Sequence, residues 1–143
     1  MVGEEIIKDM DTARDEMSKT DYSIVVVKNG EFLAKKKGEG IRPILETIDE
    51  LKQKMEGTIV GNRILGKASS LMCVYSKVAG VYSPQATQTA IAILIRAGIP
   101  GQTDKLIQKI KNRYGDDICP FEKMLLEVDS PEEAYKILKE KIG

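Results

Sequence analysis

The sequence predicts an α/β protein, a three-layer αβα arrangement around a mixed sheet in which an antiparallel hairpin is followed by parallel strands in the order 2-1-3-4. Two observations carry this prediction. Y-S-I-V-V-V-K (22–28) and E-F-L-A-K-K-K (31–37) flank Asn29-Gly30, a pair that supplies the positive φ angles of a two-residue turn, so the three pieces make a hairpin. Beyond it, amphipathic helical runs alternate with short β-rich runs, the pattern of successive βαβ units.

Each element has its own signal. Residues 4–18 place Ile6, Ile7, Met10, Ala13 and Met17 at helical spacing, which predicts an amphipathic helix packed on the outside. The first hairpin strand is apolar on both faces and therefore central; Lys35, Lys36 and Lys37 mark the second as an edge. Pro43 opens a helix carrying Ile44, Leu45, Ile48, Leu51 and Met55, and Gly57 closes it before the strand Thr58-Ile59-Val60. A loop with Gly61 and Asn62, a helix over 65–77 with Ala68, Leu71, Met72 and Tyr75 inward, and a strand over 80–83 follow.

Ser83-Pro84 reads as a helix cap with proline at the first helical position, leading into a helix that ends at Gly98. That helix is apolar nearly all round, which predicts a sandwiched position. Residues 103–111 suit a short helix, with a fifth strand near Ile99 as the alternative, and two final helices span 120–128 and 131–142. A right-handed crossover sets the third strand beside the first, on the side the hairpin leaves open. The expected organisation is one domain over 1–143, with a core at 21–128 between an N-terminal helix (1–20) and a C-terminal helix (129–143).

Composition narrows the function classes. The 143 residues hold 22 Lys plus Arg against 22 Asp plus Glu, so no overall positive field attracts phosphate backbones, and nucleic acid is not an expected partner. No apolar run approaches the roughly 20 residues of a membrane span, and the acidic, amphipathic start is unlike a signal peptide, so a cytoplasmic location and no membrane partner are expected. Cys73 and Cys119 are expected as free thiols, the first in the core.

In open α/β sheets, ligands sit beyond the carboxyl ends of the strands, where the following helices turn their N-termini inward. Two segments fall there, G-N-R-I-L-G-K-A-S-S (61–70) and S-P-Q-A-T-Q (83–88). The element order resembles the cytidine deaminase-like fold, and these segments fall where deaminases carry H-A-E and P-C-x-x-C. Here Lys67 stands for the histidine, Ser69 for the glutamate, and Gln85 and Gln88 for the two cysteines. An ammonium and two amides do not assemble a zinc site, and the chain has no histidine, so neither a metal nor another cofactor is expected.

K-N-G-E at the hairpin, G-K-A-S-S at 66–70 and N-R-x-G-x-x-x-C-P-x-E at 112–122 occur together, in this order. In them the chain is similar to domain-of-unknown-function family 1893 across residues 20–128. The resemblance implies a deaminase-like fold and a site, and no established reaction.

Cys119-Pro120-Phe121-Glu122 has the form of a capping box, repeated at Ser130-Pro131-Glu132-Glu133. Serine is a usual cap and cysteine a poor one, which makes Cys119 the candidate nucleophile or thiol carrier. A lysine at a helix start is electrostatically misplaced, so Lys67 is expected to hold an anion or a carboxylate. The expected ligand-binding set is Asn62, Lys67, Ser69, Gln85, Arg113, Asp117 and Glu122, around a small anionic or nucleotide-like ligand. The rival expectation is a non-catalytic binding or assembly module, a homo-oligomer joined through an exposed edge strand.

Overall fold

A computed structural model describes residues 3–111, 115 and 118–142. The chain runs α1 (Glu4–Lys19), β1 (Ile24–Lys28), β2 (Glu31–Lys36), α2 (Arg42–Leu51) with a 3-10 turn (Lys52–Met55), β3 (Ile59–Asn62), β4 (Ile64–Leu65), α3 (Lys67–Tyr75), β5 (Gly80–Thr87), α4 (Gln88–Arg96), β6 (Gly101–Ile107), α5 (Pro120–Met124) and α6 (Pro131–Ile142). The hairpin forms as the sequence indicates, with Asn29 at φ 51° and Gly30 at φ 80°. Its turn is also held from outside: the Asp9 carboxylate accepts the Asn29 and Gly30 N–H groups, each at 2.9 Å.

Strand alternation divides β1 between two cores. Val25 and Val27 face α1 and meet Met10, Ala13 and Met17, while Ile24 and Val26 join the larger core that α2, α3, α4 and α6 build on the opposite face. A Cβ on Gly61 would come within 2.9 Å of Val25 Cγ2 on β1 and within 3.3 Å of Met17 Cγ and 3.4 Å of Ala13 Cβ on α1, so glycine sets the approach of that helix to β3.

The expected order 2-1-3-4 holds as β2-β1-β3-β5, with β6 on the far side of β5. β4 continues β3 along the same edge of β5, in the same register, after a break at Arg63. The Arg63 N–H extends the β1 pairing by donating to Ser23 O at 2.9 Å, and its guanidinium donates to Met17, Thr20 and Tyr22 carbonyls at 2.8–3.1 Å, closing the end of α1.

Four local expectations are corrected. Gly61 and Asn62 lie in β3 rather than a loop. Ser83-Pro84 does not start a helix: β5 runs through it to Thr87, and Thr87 caps α4 by accepting the Ala90 N–H at 3.1 Å. Proline is tolerated there because its position has no strand partner on either side, falling between the ladders of β3 and β4 and between Ser83 and Gln85 on the β6 side. Residues 101–107 form β6 rather than the start of a helix, since the free edge of β5 needs a partner for its backbone groups. Finally, α4 is not sandwiched. It buries Ala90 and Leu94 and leaves Ile95 68% exposed.

Candidate functional site

The first turns of α3 and α4 lie side by side, joined by Ser70 Oγ, which donates to Ala90 O at 3.1 Å. This is the mouth that the sequence places beyond the strand ends. The first free N–H groups of a helix want an acceptor. At α4 the acceptor is Thr87; at α3 it comes from 55 residues downstream, where the Glu122 carboxylate accepts the Lys67 N–H with one oxygen and the Ala68 N–H with the other, both at 2.8 Å.

Gly66 makes room for this contact. A Cβ there would collide with Glu122 Oε1 and with Ile110 Cδ1, so the slot for two carboxylate oxygens exists because position 66 has no side chain. The Lys67 ammonium, which the helix dipole disfavours at this end, turns away to Asp129 at 3.1 Å and the Leu126 carbonyl at 3.3 Å. Of the two roles read for Lys67, it takes the carboxylate pairing.

Cys119 lies one turn before Glu122, half-buried. It precedes Pro120 as expected, yet its side chain makes no cap bond and Glu122 does not reach back to it, so the expected capping box does not form. The Cys119 N–H donates instead to Ile110 O at 2.7 Å. Ser130 does act as a cap, accepting the Glu133 N–H at 3.3 Å. The same sequence pattern therefore has two outcomes: serine caps its helix through its side chain, and where the residue is cysteine there is no side-chain cap and the acid is used elsewhere.

The other expected residues divide. Asn62, 8% exposed, donates from Nδ2 to Ile64 O at 3.1 Å and so braces the break between β3 and β4. Ser69 is buried in the first turn of α3, and Gln85 is exposed on β5. Arg113 and Asp117 lie outside the described residues. Sequence reasoning missed Asp129 and Arg63, whose partners are set by tertiary placement; the glycine before Lys67 was the available signal for a close approach at the slot.

The donor chemistry at the mouth does not suit zinc. Lys67, Ser69, Gln85 and Gln88 offer an ammonium, a hydroxyl and two amides, and among the described residues no three of His, Cys, Asp and Glu converge as a metal set. Cys73 is fully buried in the core, and burial pushes its thiol up to about 12.

The family model for the domain of unknown function DUF1893 matches residues 12–142. The chain belongs to the DUF1893 family. A DUF1893 protein of known structure, TM1506 from Thermotoga maritima, superposes with a TM-score of 0.86 at 25% identity, covering 99% of this chain and 92% of that one. RibD from Acinetobacter baumannii matches with a TM-score of 0.51 at 14% identity, over 69% of this chain and 36% of that chain, which supports a deaminase-like fold and nothing finer. The dCMP deaminase of cyanophage S-TIM5 matches at a TM-score of 0.46 and 19% identity, covering 72% of this chain and 99% of that one. Among curated proteins, none matches this DUF1893 chain. No helix among its described residues is long and apolar enough to cross a membrane.

Proposed function

We propose that this DUF1893 protein binds a small anionic ligand at the start of α3, by exchange with the Glu122 carboxylate, and that Cys119 is the reactive group beside the bound ligand. One observation carries the reading: Glu122 spans two successive N–H groups at 2.8 Å each, the arrangement by which a helix start holds a phosphate or carboxylate. Glu122 is an internal stand-in for such a ligand. Lys67, once released from Asp129, adds a cation at the rim, and Ser69 and Gln85 supply polar groups on the elements that flank the slot. Displacing Glu122 also moves Cys119, one turn away on the same segment, so ligand entry and thiol exposure are coupled.

The experiment compares wild type with Glu122→Ala, using phenyl phosphate as the probe and iodoacetamide labelling of Cys119 as the readout. With the slot emptied of its own carboxylate, the probe binds at least tenfold more tightly than to wild type and slows Cys119 labelling. Equal and negligible binding to both proteins would reduce the Glu122 contact to a structural clamp.

A second reading, an assembly module, is favoured by large apolar side chains left exposed, Ile95 of α4 at 68% and Leu106 of β6 at 52%. Under it, sedimentation shows a concentration-dependent oligomer that Ile95→Lys dissolves, and Cys119→Ser changes nothing.

A further inference from the structure

The far end of α3 borders a cleft of about 780 Å³, walled by the end of α2, the 3-10 turn, the end of α3 and one side of α6. That volume suits a small organic molecule. Tyr75 of α3 and Tyr135 of α6 stack there, ring centroids 4.4 Å apart and planes 5° from parallel. Both rings line the cleft and are half-buried, so the pair offers it flat aromatic surface of the kind on which a planar ring stacks.

The charges in the wall have a definite balance. Asp49 is already committed: it accepts the Tyr135 hydroxyl at 2.7 Å and pairs with Lys139. The lining then sets Lys52, Lys77 and Lys139 against Asp49 and Glu56, and with Lys139 paired to Asp49 the wall keeps a positive excess. Lys52 also stands at φ 52°, ψ −122°, a backbone conformation that glycine enters freely and other residues enter at a cost. A lysine held where glycine would relax keeps its charge at the cleft against the local preference of the chain.

We propose that this cleft is a second binding site, for a small molecule that joins a flat aromatic ring to an anionic group, as a nucleoside monophosphate does. The ring lies on the Tyr75–Tyr135 pair and the anion lies toward Lys52 and Lys77. The site is at the opposite end of α3 from the mouth and does not depend on the role given to Glu122.

The test is calorimetric titration of the full chain with AMP, CMP, GMP and UMP, with adenosine and inorganic phosphate as the half-ligands. At least one nucleotide binds with one site per chain, and each half-ligand binds at least tenfold more weakly. Tyr135→Phe keeps the ring and the binding, whereas Tyr135→Leu loses tenfold or more. Lys52→Gly removes the charge at a position whose backbone suits glycine, so it lowers affinity at least threefold while thermal stability holds or rises. The proposal is overturned if none of the four nucleotides binds at about 1 mM, where useful affinity would begin to show. It is equally overturned if Lys52→Gly and Tyr135→Leu bind like wild type, or if binding survives them and is lost in Lys67→Ala, which would assign the nucleotide to the mouth.

Discussion

At the scale of single residues, the two cysteines are chemically opposite. Burial lifts the Cys73 thiol to about 12, so almost none is thiolate at neutral pH, while Cys119 is partly open to solvent. Native protein treated with iodoacetamide should therefore gain one label, at Cys119, and a second only after denaturation; mass spectrometry of the peptides reads this directly, and rapid native labelling of Cys73 would show that the core opens. Gly66 is the other decisive residue. Adding one methyl group in Gly66→Ala drives Glu122 off the α3 amides, and two charge-assisted bonds to a helix start are lost together. We expect a cost of about 2–4 kcal/mol in urea unfolding, against no more than about 0.5 kcal/mol for Gly3→Ala, where nothing lies within 4 Å. The role of Gly66 was only half legible in the sequence: a glycine before a helix suggests a close approach, but which group approaches is decided far downstream, at Glu122.

At the scale of elements, the sequence signals succeeded where they were local and failed where a second segment decided the outcome. Asn29-Gly30 and Ser130 carry their conformations within a few residues, and both behave as read. Ser83-Pro84 carries an equally clear helix-start signal, yet the chain stays extended because the break at Arg63 removes the partner that proline would have denied. The α2–α6 contact shows how such long-range pairs respond to pH. Burial pushes the Asp49 carboxyl up, but hydrogen bonds from Lys139 and Tyr135, with the nearby charges of Lys139 and Lys52, outweigh it and leave the group below its ordinary 3.8. A carboxyl lowered by folding adds stability that is complete above its ordinary value and is lost as pH falls through the lowered one. For Tyr135, burial first and the Asp49 contact second raise the phenol from 10.0 to about 12. Its contribution is complete below pH 10 and disappears as pH rises toward 12, the opposite sign. Urea midpoints measured across pH should thus fall at both extremes for wild type. Asp49→Asn should flatten the acid limb, by a modest amount since the pair is partly open to screening solvent.

At the scale of the whole molecule, the α/β class and strand order followed from the alternation of elements, because that pattern is spread over the entire chain and no single misread turn changes it. The last strand was legible only as the alternative near Ile99: Gly101–Ile107 is mostly exposed, so its residues lack the apolar alternation that marks a strand and answer instead to the open edge of β5. The mouth was located by topology, and Glu122 stood in its expected residue set; that its carboxylate would itself occupy the α3 amides was not legible.

The clasp on α3 has a consequence for the way the protein is made. Its start is fastened by Glu122 and its end is flanked by α6, whose Lys139 reaches Asp49 across 90 positions. A ribosome adding about 5–20 residues per second needs roughly 4–14 s to travel from Lys67 to Lys139. For that interval the nascent helix lacks its cover, and until Glu122 is made it lacks its cap as well, so a chaperone that shelters unfinished apolar surface should be found on chains arrested between these two positions and absent from chains that have passed the second.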